Sequence, residues 1–178
     1  MNKLTLTVLT LIYTFAFAYF GPVGITLPSF PGSGAGTGAA SSEGTAFRLP
    51  AAGGGEIDLA AYAGKPVLLM FFTESCPYCR KAGPALEKLH KAYGPGLNVL
   101  GVCIEDGPDA ALNFGKALSI SFPLAYGGQE VFRRYRAQGV PYIYLLDRGH
   151  RVYDVWEGYD ESYDPMMKNA VENLLTGK

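Results

Sequence analysis

"FFTESCPYCRKAGPAL" runs from Phe71 to Leu86 and sets Cys76 and Cys79 two residues apart at the end of an apolar run. Such a pair can clamp a metal, staple a loop or act as a redox couple, and the flanking residues discriminate. "VLLMFF", Val67 to Phe72, is continuously apolar between Pro66 and Thr73. That is the pattern of a central strand buried on both faces. Beyond Cys79, Ala82, Leu86, Leu89 and Tyr93 recur at spacings of four and three, the stripe of an amphipathic helix that Gly94 and Pro95 end. The cysteines therefore lie where a buried strand turns into a helix.

This junction has chemical consequences. Cys76 falls at or just before the helix start and Pro77 at the first helical position, where its missing N–H costs nothing. Unpaired N–H groups and the helix dipole favour negative charge there, which makes Cys76 the nucleophile. Cys79 comes one turn later on the same side, more shielded, and is placed to resolve a mixed disulfide on Cys76. Pro77 and Tyr78 between them would border the substrate. A zinc site needs about four ligands, whereas Cys103, His90 and His150 are the only softer candidates left and no second CxxC exists, so no metal is expected. Covalent haem needs His where Arg80 stands. A purely structural bridge across two residues would restrain the unfolded chain little. A redox couple without a cofactor is the favoured reading, with a structural staple beside it. Cys103, inside an apolar strand, reads as a small buried hydrophobe. His90 reads as a surface or boundary residue, and His150, in a hairpin turn, as solvated.

Bulk properties agree. The chain has 178 residues, 48% of them hydrophobic, and a net charge of −1, which allows one ordinary domain with a sizeable core plus a terminal segment. Nothing suggests a nucleic-acid partner or an anionic membrane surface. The one dense basic cluster, Arg133, Arg134 and Arg136, reads as a solvated helix face. Three cysteines are too few and too unevenly spaced for a disulfide scaffold.

The N-terminus, "MNKLTLTVLTLIYTFAFAYF", carries Lys3 and then no charge until Glu43. Small residues at Ala16 and Ala18 suit a signal peptidase. Residues 1–18 are thus expected to be a cleaved signal or an uncleaved anchor, and either exports the remainder of the chain. Residues 19–46, rich in Gly, Pro and Ser, bury too little apolar surface to offset ordering and read as a flexible tether. From residue 47 to 178 the pattern is globular. Two short extended pieces flank "AAGGGE" and lead to a brief helical piece ending at Gly64. "LNVLGVCIE" is a second buried strand and "PDAALNFGKALS" a second helix. "FPLAYGGQEVFRRYRAQGVP" holds an extended piece, a turn and a third helix with Val131, Phe132 and Tyr135 inward. "YIYLLD" and "RVYDVW" form a hairpin around "RGH", and "DPMMKNAVENLLTGK" closes the chain as a helix with Met167, Val171, Leu174 and Leu175 on one face. Early alternation with a late hairpin predicts an α/β domain: a mixed sheet flanked by helices, with an N-terminal β-hairpin extension.

With strand, CxxC and helix in place, the domain resembles the thioredoxin superfamily, in particular its exported TlpA-like thiol–disulfide oxidoreductases. "IDLAAYAGKPVLLMFFTESCPYC", Pro84, "LNVLGVCIED" and "FPLAYGGQEVFRRYRAQGVPYIYLLDRGHRV" carry the resemblance. It implies a thioredoxin-like fold, a redox-active Cys76–Cys79 disulfide, a cis Pro141 beside the pair, and a Val140 backbone that pairs with an extended substrate. Three positions depart from the family. Met70 stands where thioredoxins bury an acid. Ala82 stands where cytochrome-maturation members have a glutamate, so two proton acceptors for Cys79 are missing. Ser75 replaces the usual Trp. The Pro-Tyr dipeptide is the glutaredoxin pattern, which suggests a couple nearer about −200 to −230 mV than thioredoxin's value of about −270 mV. Glu74 is a candidate acid/base near Cys76.

The expected function is an exported, periplasmic or extracytoplasmic, protein disulfide reductase. Its partners would be disulfide-bearing exported proteins and a membrane or soluble thiol electron donor, with membrane contact only through the N-terminal anchor. Two alternatives stand beside it. One is a peroxiredoxin-like peroxidase, which has Thr73 three before Cys76 but Leu69 where that pattern carries proline. The other is a thioredoxin-fold binding module with an inert disulfide.

Overall fold

The computed structural model describes residues 46–177; the signal or anchor segment, and all of the tether except Ala46, lie outside the described residues. Strands β1 (Arg48–Pro50) and β2 (Glu56–Asp58) form the expected antiparallel hairpin, followed by a 3-10 turn at Leu59–Tyr62 that Asp58 caps through the Ala60 N–H. Next come β3 (Val67–Phe72), α1 (Pro77–Tyr93), β4 (Asn98–Cys103), α2 (Pro108–Leu118), β5 (Leu124–Ala125), α3 (Gln129–Arg134), β6 (Tyr142–Leu146), β7 (Val152–Glu157) and α4 (Tyr163–Thr176). Among the described residues no helix is long and apolar enough to cross a membrane.

The main sheet has the order β5-β4-β3-β6-β7. β3 pairs parallel with β4 and antiparallel with β6, and β6 and β7 form the hairpin. The sheet is mixed, as the sequence pattern predicts, and all six residues of its central strand are buried.

The pleat of β3 divides the core. Leu68, Met70 and Phe72 face a cluster with Ala82 and Leu86 of α1, Phe114 of α2 and Met167 and Val171 of α4. Val67, Leu69 and Phe71 face a second cluster with Ile57, Leu59, Val131, Tyr135 and Tyr144. There Phe71 meets Tyr135 edge-on at 5.3 Å, and the Tyr144 hydroxyl donates to the Tyr135 carbonyl at 2.6 Å. Helix-bearing layers on both faces explain why β3 has no polar residue to spare.

His150 departs from expectation. It is buried at 8% exposure, with φ 60°. The hairpin turn folds back on the 3-10 segment, with the Gly64 N–H donating to the Arg148 carbonyl at 3.1 Å, and His150 lines a cavity with Ala46, Ala60 and Ala63. Solvation is the local expectation for a turn; packing across the chain overrides it. His90 is a half-buried boundary residue, edge-on to Phe122, and Arg133, Arg134 and Arg136 are exposed.

Candidate active site

The four residues Thr73–Cys76 connect β3 to α1. Cys76 has extended backbone (φ −69°, ψ 116°) and is the N-cap of α1. Its sulfur accepts the Cys79 N–H at 3.1 Å, as a capping oxygen would, and Pro77 follows at the first turn. No acidic residue lies in that turn, so nothing there opposes negative charge on the sulfur.

Cys76 and Cys79 are joined as a disulfide with their Cα atoms 5.2 Å apart. Cys76 is half-buried, Cys79 is fully buried, and Pro77 and Tyr78 are exposed. Tyr78 is 58% exposed, the most exposed large apolar side chain among the described residues, and Lys81 sits over its ring. Met70 and Ala82 share the buried cluster of Cys79, so at both departing positions an apolar side chain stands on the Cys79 side of the sheet.

The Val140–Pro141 peptide bond is cis. The Val140 carbonyl oxygen lies 3.5 Å from Cys76 Sγ, although the two residues are 64 positions apart. Antiparallel pairing of β6 with β3 delivers this contact, since Tyr142 opposite Phe71 sets the segment before β6 beside the end of β3. The Gly158 N–H donates to the Pro141 carbonyl at 2.9 Å and holds the segment from the other side. Among the described residues the Val140 N–H has no hydrogen-bond partner. A shallow cleft runs from Val140 over Gln138, Gly139, Tyr142, Glu157 and Gly158, where the Tyr142 hydroxyl donates to Glu157 Oε1 at 2.6 Å.

Glu74 enters the site through its backbone: its N–H donates to Glu105 Oε2 at 2.7 Å. The same oxygen lies 3.6 Å from the Cys103 thiol. Sequence reasoning misses Glu105, which follows β4 by two residues and resembles any exposed loop carboxylate. Its only local signal is its place just beyond a buried strand that ends level with β3.

The sequence profile described as the AhpC/TSA family matches residues 41–156. The chain belongs to the AhpC/TSA family. Within it, the chain is a TlpA-like member of the thioredoxin superfamily. It is 30% identical over 132 residues to the thioredoxin-like protein YneN of Bacillus subtilis, covering 72% of this chain and 74% of that one. It is 29% identical over 101 residues to the thiol–disulfide oxidoreductase ResA of Bacillus thuringiensis, covering 56% and 58%. The chain thus spans a little over half the length of ResA. A Mycobacterium tuberculosis relative, provisionally named a peroxiredoxin, is 34% identical over 102 residues, covering 56% and 64%. Among solved structures, the secreted disulfide oxidoreductase of M. tuberculosis homologous to Escherichia coli DsbE superposes with a TM-score of 0.65 at 20% identity, over 75% of this chain and all of that one. That likeness establishes the thioredoxin-like fold.

Proposed function

We propose that this AhpC/TSA-family chain is an exported thiol–disulfide oxidoreductase that reduces disulfides in other exported proteins. The observation that carries the proposal is the Cys76–Cys79 disulfide at the N-terminus of α1 with its Cys76 sulfur 3.5 Å from the Val140 carbonyl. The accessible sulfur caps a helix, the buried sulfur lies one turn behind, and the segment at Val140, whose N–H has no partner among the described residues, borders the accessible one.

In the reduced enzyme the Cys76 thiolate attacks one sulfur of a substrate disulfide. The Cys76–substrate S–S bond forms and the other substrate sulfur leaves as a thiolate, which takes up a proton. Cys79, deprotonated, attacks Cys76 Sγ, and the second substrate sulfur leaves. The substrate has gained two electrons and the pair is oxidised to the disulfide of this structure. A thiol donor, membrane-bound or soluble, returns the electrons. Pro77, Tyr78, Val140 and Pro141 border the substrate, whose backbone would pair with Val140 as an added strand. Glu74, two residues before Cys76 in the chain, is the candidate acid/base. The export reading is supported by the N-terminal apolar segment and by similarity to a structure described as secreted.

The test is trapping. Cys79→Ser is expected to accumulate mixed disulfides through Cys76 on incubation with an extract of exported proteins, and Cys76→Ser to abolish turnover. An absence of trapped species would remove the exchange role. Equilibration with glutathione buffers then gives direction: a value near or below about −270 mV marks a reductant, and one well above about −200 mV an oxidant or isomerase.

A second reading has one supporting observation, the relative named as a peroxiredoxin. In it Cys76 reduces a peroxide, becoming a sulfenic acid as the O–O bond breaks, and Cys79 condenses with it, releasing water. Peroxide-driven oxidation of Cys76 much faster than its exchange with disulfides would favour this reading.

A further inference from the structure

The connection that presents Cys76 is only four residues long, so each bond that fixes its backbone bears on where the sulfur sits. Cys76 N–H reaches the Thr73 carbonyl at 3.5 Å, a long and weak bond. The Cys76 carbonyl accepts the Arg80 N–H at 3.1 Å, which ties the far end of the connection to α1, and its middle is tied by the bond from the Glu74 N–H to Glu105 Oε2, at 2.7 Å across 31 positions of sequence.

Glu105 is itself held. Its backbone carbonyl accepts the Gly127 N–H at 2.9 Å, and the preceding Ile104 N–H donates to the Phe72 carbonyl at 3.0 Å. Its Oε2 is also 3.6 Å from Cys103 Sγ, a buried thiol oriented to donate. Burial keeps that thiol protonated, pushing it up to about 12. The oxygen thus lies between a fixed strand end on one side and the middle of the reactive loop on the other. Both Glu74 and Glu105 are half-buried, so water competes less for the bond than on an open surface.

We propose that Glu105 is a positioning residue for the reaction. By accepting the Glu74 N–H it holds the Thr73–Cys76 connection in the pose that sets the Cys76 sulfur at the α1 N-terminus and opposite Val140. The inference rests on the exchange reading above. It also gives Cys103 a place in the site as the thiol that helps hold Glu105.

The experiment compares two substitutions in the full chain that separate reach from charge. Glu105→Gln keeps an acceptor oxygen at the same reach without the charge. Glu105→Asp keeps the charge but shortens the reach by one methylene. Two readouts are taken: amide hydrogen exchange at Glu74, and the pH profile of the rate at which reduced Cys76 attacks 5,5′-dithiobis(2-nitrobenzoate). Positioning predicts that Glu105→Asp loses Glu74 protection and slows Cys76 about tenfold across the profile, while Glu105→Gln keeps the protection and stays within about twofold. If Gln is impaired and Asp is not, Glu105 acts by charge and the positioning role falls. It falls equally if both variants match the parent or both are impaired alike. The amide readout does not depend on thiol exchange. A parent protein with no exchange activity but with Glu74 protection that follows the predicted pattern would therefore overturn the proposed function and not the anchor.

Discussion

At the scale of single residues, burial and backbone position sort three cysteines into different roles. Cys76 is half-buried at a helix N-terminus, Cys79 is enclosed one turn later, and Cys103 sits at the end of β4 with no exposure. For Cys103, loss of solvation dominates, and its thiol is pushed up to about 12. In the native, oxidised protein Cys103 is therefore expected to resist iodoacetamide at pH 8, and unfolding should expose one alkylatable thiol per chain. Rapid native alkylation, read by mass spectrometry, would contradict the enclosed position. The reading of Cys103 as a buried small hydrophobe is legible because its neighbours in "LNVLGVC" are apolar. The reach of Glu105 to Glu74 is not legible, because side-chain contacts across 31 residues leave no periodic trace.

At the scale of elements, α1 carries both the chemistry and a buried charge. Pro84 lies inside it, exposed, and lacks the N–H that would bond the Arg80 carbonyl. Less than a turn further on, Glu87 is buried and accepts both the N–H (2.9 Å) and the hydroxyl of Ser121, while Lys91 pairs with it at 3.1 Å. Burial acts to raise the Glu87 carboxyl, but the hydrogen bonds from Ser121 and the Lys91 ammonium together hold it below its ordinary value of 4.5. Lys91 is mostly exposed, so the Ser121 bonds carry most of the stabilisation. Glu87→Ala is expected to destabilise by about 1–3 kcal/mol at pH 7, because two hydrogen bonds from Ser121 to a charged carboxylate are lost. The sign with pH comes from the lowered folded pKa: the carboxylate's contribution is complete above 4.5 and fades as pH falls through the folded value. Urea unfolding of the parent and variant at pH 7 and at stepwise lower pH should therefore show the gap narrowing. A gap independent of pH would mean that the carboxylate charge is not what holds Ser121. The helix itself is legible from its stripe, whereas Glu87, an apparently ordinary surface acid in "ALEKL", is not.

At the scale of the whole molecule, the sheet closes onto its edge through a backbone approach that only glycine permits. Gly128, the residue before α3, donates its N–H to the Cys103 carbonyl at 2.9 Å, and a Cβ there would run into the Val102 side chain and lie 3.0 Å from that same carbonyl. Gly128→Ala is expected to cost about 1–3 kcal/mol in urea unfolding, because either β4 or α3 must shift. No measurable change would mean that the loop before α3 gives way easily. The glycine pair in "YGGQE" marks a turn in the sequence, but which glycine is packed against a strand depends on the fold.

The sequence by itself determined the strand–CxxC–helix junction, the mixed alternation of elements and the hairpin near the end. Each rests on interactions between residues a few positions apart: helical stripes, pleat alternation, caps and turns. Even the assignment to a thioredoxin-like fold came from those motifs. The tertiary structure gave the 3.5 Å distance of Val140 from the Cys76 sulfur, an approach that the resemblance implied, and it alone decided that Glu105 ties the reactive loop and that His150 turns inward beneath the 3-10 segment. The first two contacts join residues 64 and 31 positions apart, and strand register sets them: β6 antiparallel and β4 parallel to the same central β3. The alternation of apolar residues limits the register of each strand, but between strands far apart in the chain no turn fixes it, and the packing of whole faces decides.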